Sequence, residues 1–496
     1  MEGKGILKEK TFSGLFWSFA DILTNQGIQF IVIMILARLL APEHFGVIGI
    51  VTIFISIANT IVDSGFTQAL IREKKVTQDD YSTVFYFNLI ASLVIYLLLF
   101  VLSPKIATFF NEDELTSIIR VLTSSVIIHS FSIIQRTILV KKIDFKLQTK
   151  INFVAAIGSG FIATVLGIMG YGIWSLVVQT ISLRLIQTIL LWFGNSWKPS
   201  FIFSVSSFRR LFKFSSRLLI SSLIDTVYGN VFSILIGKYY PAKQLGYYTN
   251  AKKLSNLFSI AITSSLQRVT YPVLSSIQDD TVSLINGFRK IITATAYFTF
   301  PIMIGLMAVS DSLVVVVFGP KWIESILYFK LLCLAAMLYP FHALNLNILQ
   351  VKGRSDLFLR LEIIKKLLLT LLIGASLLFS LGIVGLICAG IVSSYLSFFI
   401  NTYYSSKEIS YSTKQQIKDL LPFILISVTM GAFVHLTGKL LPEIHILRLL
   451  IQVTIGCVFY VLVSWILKLK EFEMMLQLIF RFRKFNKQIT IKSRGI

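Results

Sequence analysis

Residues 37–46 read ARLLAPEHFG, and residues 237–246 read GKYYPAKQLG. Each stretch has a cation at its second place, a proline near the middle and a glycine at the end. The second starts 200 positions after the first, and Gln78-Asp79-Asp80 returns at the same offset as Gln278-Asp279-Asp280. Two short motifs recurring at one spacing in a chain of 496 residues point to two related halves.

The solvent of those halves follows from composition. The chain is 55% hydrophobic and 14% charged, with a mean hydropathy of +0.78, more apolar than the surface of a water-soluble domain tolerates. Apolar runs of about 20 residues, the length that crosses a hydrocarbon core of roughly 30 Å, follow one another from Phe16 to Leu467. The expected fold is therefore all-α, a polytopic membrane protein of about 14 transmembrane helices. The first run continues without a small-residue cleavage site and reads as a retained helix. Cys333, Cys388 and Cys457 all fall inside apolar runs, which argues against disulfides and metal clusters.

The net charge of +23 resembles that of a nucleic-acid binder, but its distribution does not. With Met1 in the cytoplasm, most Lys and Arg fall on cytoplasmic ends and loops, which is the positive-inside pattern and places both termini in the cytoplasm. The surplus then orients the protein and meets anionic membrane lipids, with no nucleic-acid partner.

An even number of helices separates the two copies of the motif, so both copies run the same way through the bilayer. Parallel repeats around a central cavity are expected, related by an axis along the membrane normal. The domain reading is an N-terminal six-helix bundle over 1–193, a cytoplasmic interfacial linker over 194–213 and a C-terminal six-helix bundle over 214–404. Two further helices span 405–467, and a basic amphipathic tail covers 468–496. Within the linker, SFRRLFKF mixes apolar and basic residues as a short interfacial segment would.

Further stretches carry a family resemblance. ARLLAPEHFG, DSGFTQALIREK at 63–74, GYGIWSLV at 170–177, YPVLSSIQDD at 271–280 and FGPKWIESILYFKLLCLAAMLYP at 318–340 occur in order. Together they resemble the oligosaccharide flippases of the polysaccharide transporter family, of the colanic-acid or teichuronic-acid exporter type. The superfamily also holds multidrug exporters and the peptidoglycan-precursor flippase. The resemblance implies a transporter, not an enzyme, that moves undecaprenyl-pyrophosphate-linked oligosaccharide from the inner to the outer leaflet of a bacterial cytoplasmic membrane. It also implies cation-coupled antiport, with H⁺ or Na⁺ as the coupling ion and no other cofactor. Monomeric action is expected, with polysaccharide polymerase machinery as a further partner.

Such a cargo needs a polar route, because a pyrophosphate and sugar hydroxyls in hydrocarbon cost several kcal/mol each. Arg184, Arg217, Arg268 and the Lys252-Lys253 pair are the first candidates for pyrophosphate or acidic-sugar contacts, since the planar fork of Arg donates two parallel bonds to phosphate. Asp21, Asn25 and Gln29, with Gln26 alongside, form a polar stripe on the first helix. Ser221, Ser222, Asp225 and Asn230 occupy the equivalent place in the seventh. Asn25, Gln26 and Gln29 are taken as cargo contacts. Asp21, Asp63 and Asp225 are the candidates for ion coupling, against a structural alternative for Asp63 as a bond at its helix end. A multidrug exporter of the same superfamily is the closest rival reading. A polymerase or ligase is weaker, because the outer loops are short and the five His residues show no metal-binding spacing.

Overall fold

The structure is a computed structural model that describes residues 26–477. Asp21 and Asn25 lie outside the described residues, as do the tail beyond 477 and the side chain of Arg268. All the regular secondary structure of the described residues is helical, with no strand among them. The chain divides into two compact units, one ending at Asn250 and the other starting at Ala251. The first contains α1 (Gln26–Leu39), α2 (Pro42–Asp63), α3 (Phe66–Arg72), α4 (Gln78–Phe110), α5 (Leu115–Leu122), α6 (Ser124–Lys141), α7 (Phe145–Ile168), α8 (Trp174–Gly194) and α9 (Val205–Tyr239). The division falls within α10 (Ala242–Ser276). The second unit continues with α11 (Thr281–Ala308), α12 (Ser310–Phe318), α13 (Ser325–Ala336), α14 (Tyr339–Val351), α15 (Ser355–Leu378), α16 (Gly382–Ile409), α17 (Thr413–Leu440) and α18 (His445–Ile466).

Among the described residues, 11 segments are long and apolar enough to cross a membrane, so the chain is a multi-pass membrane protein. The sequence count of about 14 spans added α1, α10 and α15. The described part of α1 is short. The other two have the length to cross, but α10 carries the Lys252-Lys253 pair and α15 carries Glu362, Lys365 and Lys366.

Local chemistry explains where the helices break. Pro42 opens α2 in the first turn, where its missing N–H costs nothing. Tyr240, ahead of Pro241, is extended at φ −133° and ψ 156°, as a residue before proline must be. The span that starts at Pro42 is interrupted at Ser64 and Gly65, with φ of 47° and 72°, and resumes as α3. A Cβ on Gly65 would also stand 3.1 Å from the carbonyl oxygen of Ser215, so both backbone angle and the approach of α9 require glycine there.

The paired Gln-Asp-Asp motifs serve different registers. Thr77 caps α4 in a capping box with Asp80, whereas Asp280 is itself the cap of α11, accepting from the backbone N–H groups of Val282 and Ser283 at 3.0 and 3.1 Å. The hydroxyl and N–H of Ser283, with that of Val282, hold the Asp280 carboxyl below the usual carboxylate range. Equivalent helices thus begin at Gln78 and Thr281, out of step with the motif spacing.

The linker also differs from its reading as a separate interfacial segment. It ends at Ser204, whose hydroxyl caps α9, and SFRRLFKF forms the opening turns of that 35-residue helix. Packing decides this. Phe208 and Phe212 lie against Phe66, and Arg210 pairs with Asp80 and with Glu73. Gln78 clasps the linker, donating to the carbonyl of Lys198 and accepting from the Trp197 indole, each at 2.7 Å.

In the second unit α11 packs along α17, and Arg289 binds Asp419 through two parallel bonds of 2.6 and 2.7 Å. The Tyr411 hydroxyl donates to the same carboxylate at 2.5 Å. Burial and that contact with Asp419 raise the Tyr411 phenol. Asp419→Ala leaves both donors without their acceptor and is expected to cost about 1–3 kcal/mol. A lower melting midpoint in detergent checks this, with Asp419→Asn intermediate because it keeps one acceptor oxygen.

Candidate functional site

The repeated decapeptides meet each other. A Cβ on Gly46 would stand 1.8 Å from the carbonyl oxygen of Ala242, and one on Gly246 would stand 2.0 Å from that of Pro42. Shifting 42 and 46 by the repeat gives 242 and 246, so the contact is reciprocal, as in an interface between equivalent surfaces. Gly49 continues it, facing the Thr249 methyl at 3.1 Å from where its Cβ would be. Small residues here let two helix backbones touch, a device that works in lipid because packing, not hydrophobicity, joins helices there. Neighbouring helix ends brace the contact. Lys238 donates to the Phe109 carbonyl at 2.6 Å and lies 4.2 Å from the centre of that ring. Glu112 accepts from the backbone N–H of Ala242; burial, with Glu114 and Asp113 nearby, raises its carboxyl above the usual range. The cation of the second decapeptide is therefore a structural tie at the corner.

α9 has two different polar faces. Thr226 and Asn230 turn to α2: the hydroxyls of Thr226 and Thr60 are 3.0 Å apart, and the Asn230 amide donates to Ser56 at 3.3 Å. Asn230 thus belongs to a seam between helices and leaves the stripe to which its position had assigned it. Arg217, Ser221 and Asp225, at spacings of four, share another face and are exposed. Asp225 has polar or electrostatic company of its own. Within a helix long and apolar enough to span, an exposed stripe of this kind is costly against lipid and suits a wet passage.

A second cationic group lies between α6 and α8. Thr188 and Trp192 of α8, and Asn195 just beyond its end, donate to the carbonyls of Ile128, Phe131 and Gln135 of α6 at 3.1, 3.1 and 2.9 Å, a seam that locks the two helices in register. One turn before Thr188, half-buried Arg184 feels the like charge of Arg136, and both act on His129. Arg184 has no carboxylate in an ion pair among the described residues. The sequence reading had Arg184 but missed Arg136 and His129. Their spacing of seven, two helical turns on one face, was the available signal.

The remaining candidates are spread out. Gln26 and Gln29 are half-buried on α1, and Gln29 has a partner. The carboxylate of Asp63 accepts from the Thr67 hydroxyl at 2.6 Å and its N–H at 3.3 Å, which caps α3 across the break. Adjacent on α10, Lys252 is half-buried with a partner and Lys253 is exposed. Lys330 is held by Asp311 at 3.0 Å. The second unit also holds a buried polar group that sequence reasoning passed over: His342 lies 3.1 Å from Ser394 and 3.4 Å from Asn401, and Ser405 donates to Asn345 at 2.5 Å.

A helical membrane protein with cations and hydrogen-bonding side chains set inside its spans defines a transporter for polar cargo. Solved structures share the fold. The lipid II flippase MurJ in an inward closed conformation superposes with a TM-score of 0.71 at 17% identity, covering 91% of this chain and 98% of that one. An inward-facing multidrug resistance MATE family transporter gives 0.61 at 17% identity, covering 78% and 96%. Residues 35–327 match the polysaccharide biosynthesis protein family, and the chain belongs to it. It is 26% identical over 452 residues to the lipopolysaccharide biosynthesis protein WzxC of Escherichia coli (strain K12), across 88% of this chain and 90% of that one. It is also 26% identical over 354 residues to the teichuronic acid biosynthesis protein TuaB of Bacillus subtilis (strain 168), across 71% and 73%.

Proposed function

We propose that the protein is a flippase for lipid-linked oligosaccharide, carrying undecaprenyl-pyrophosphate-linked repeat units across the cytoplasmic membrane for surface polysaccharide export. The observation that supports this best is Arg184: a guanidinium half-buried in a membrane span, beside the like charge of Arg136 and with no carboxylate ion-paired to it among the described residues. Such a group is stabilised by an anion that comes and goes, and pyrophosphate matches its geometry. Arg217, Asn25, Gln26, Gln29, Lys252, Lys253 and Arg268 are the further proposed contacts for the cargo. The repeated corners lie on the outer side, where Gly46 meets Gly246, and both termini lie in the cytoplasm. The chain acts as a monomer, delivering its cargo to a polymerase.

Deletion of the gene tests the reading. Loss of one surface glycan, with its lipid-linked precursor trapped on the inner leaflet, is the expected result. An unchanged surface with normally distributed precursor, in a strain with no second flippase, overturns it in favour of a drug exporter.

Coupling to H⁺ or Na⁺ is assigned to Asp21, Asp63 and Asp225. Asp63 allows a clean separation of roles, because Asn keeps the Oδ1 acceptor that caps Thr67 and removes only the titratable charge. Asp63→Asn is expected to leave the protein folded and to flatten the pH or Na⁺ dependence of transport. Unchanged dependence assigns Asp63 to capping alone.

A further inference from the structure

At the corner end of the first unit, a polar cavity of about 290 Å³ opens between three connections. His44 comes from the first decapeptide, Glu114 and Ser117 from the cap and first turn of α5, Tyr171 and Gly172 from the turn before α8, and Trp174 from the first position of α8. The cavity is built into the fold. Gly170 and Gly172 have φ of 84° and 53°, angles that suit glycine, and a Cβ on Gly172 would press on the His44 ring at 3.3 Å. The turn is stitched by bonds from Trp174 N–H to the Tyr171 carbonyl and from Ser175 N–H to the Gly172 carbonyl, both 3.1 Å. Its contents are not those of a closed structural corner. Among the described residues, the Nδ1 of His44 is buried with no hydrogen-bond partner and Glu114 is exposed outside any ion pair; Tyr171 and Trp174 are 54% and 38% exposed.

A carboxylate, an imidazole nitrogen and a hydroxyl beside two open aromatic faces suit one ligand chemistry. A pyranose presents adjacent hydroxyls that a carboxylate accepts in pairs, and an apolar C–H face that packs on an aromatic ring. The volume lies at the low end for small-molecule sites, the size for a single ring. Glu114 has Glu112 and Asp113 as charged neighbours, so an acidic sugar is repelled. The geometry points to a glycan subsite at this cavity that takes a neutral pyranose residue, with Glu114 and His44 as hydrogen-bond partners and Tyr171 and Trp174 as the stacking platform. This rests on the flippase reading for its purpose: it holds the head of the cargo after passage, on the side to which the glycan is delivered.

The test is saturation-transfer difference NMR on the full protein in lipid nanodiscs, with glucose, galactose, mannose, N-acetylglucosamine and glucuronate as probes. At least one neutral sugar is expected to bind in the millimolar range, on the order of what a ligand of about a dozen heavy atoms reaches, and glucuronate at least about ten-fold more weakly. Glu114→Gln and Trp174→Ala should each weaken binding about ten-fold or more, Trp174→Phe should retain most of it, and Gly374→Ala, with open space around its Cβ position, should leave it unchanged. No saturable signal from any neutral sugar overturns the proposal. So does a signal that survives Glu114→Gln and Trp174→Ala, which would make the two aromatics interfacial anchors only. Precursor sidedness in the deletion strain reports separately, so a failed subsite with a trapped precursor leaves the flippase reading standing.

Discussion

Gly246→Leu and Gly46→Leu are each expected to reduce export of the surface glycan by about ten-fold or more while the protein remains in the membrane. Even an alanine at either place puts a Cβ within 1.8–2.0 Å of a backbone carbonyl oxygen, well inside contact distance. No rotamer relieves such an overlap, because the obstructing atoms are main chain on both sides. Overpacking a well-packed contact costs about 1–3 kcal/mol when side chains can adjust, and here a helix must move instead. If the contact closes one end of the transport path, the substituted protein stays open at that end and the cycle stalls. Thr249→Cys, in a chain whose Cys333, Cys388 and Cys457 are replaced, reports the opening, since Thr249 faces Gly49 across the contact. Its labelling by a membrane-impermeant maleimide should rise about ten-fold with Gly46→Leu. Gly374→Ala is the control: open space surrounds its Cβ position, and alanine improves helix propensity by about 1 kcal/mol. Wild-type export and unchanged labelling in both leucine variants would leave the contact without a role in closure.

The second large effect is expected at Arg184. Removing one partner of a desolvated charge pair costs about 2–5 kcal/mol, and about 1.4 kcal/mol is a ten-fold change. Arg184→Gln should therefore lower transport by roughly thirty-fold or more at normal protein levels. Arg184→Lys should recover only part of it, because an ammonium offers a point charge where phosphate meets a planar fork. Arg136→Gln is informative beside it. If the two guanidiniums act on one anion, the double variant loses little more than the worse single one, whereas independent roles give multiplied losses. Wild-type transport in a well-folded Arg184→Gln, Arg217→Gln protein removes both residues from the cargo path.

Much of this was legible before any coordinates. Hydropathy runs reported the helices because a bilayer demands apolar length and internal hydrogen bonding from every span. The decapeptide repeat located the two corners, where α2 begins at Pro42 and α10 at Ala242. Arg184 stood out because a cation deep in an apolar run is costly and so conspicuous.

Other features had no local signature. Asp63 reads the same whether it titrates in a cycle or caps α3, and only the 2.6 Å bond from Thr67 across the break distinguishes its present partner. Asn230 shares the polarity of Asp225, yet the seam with Ser56 draws it to another face of α9. SFRRLFKF has the composition of an interfacial helix, but its phenylalanines find Phe66, Arg210 finds Asp80, and the helix runs on unbroken.

By itself, then, the sequence determined the solvent, the helical class, the duplication and the residue types that a charged, hydroxyl-rich cargo would require, because each depends on composition and on periodicities of a few residues. Tertiary structure alone decided which equivalent pieces touch. Gly46 meets Ala242 and Gly246 meets Pro42 because a helix backbone can approach another's carbonyl this closely only where the facing residue has no Cβ, and that complementarity belongs to a pair of surfaces some 200 residues apart in the chain.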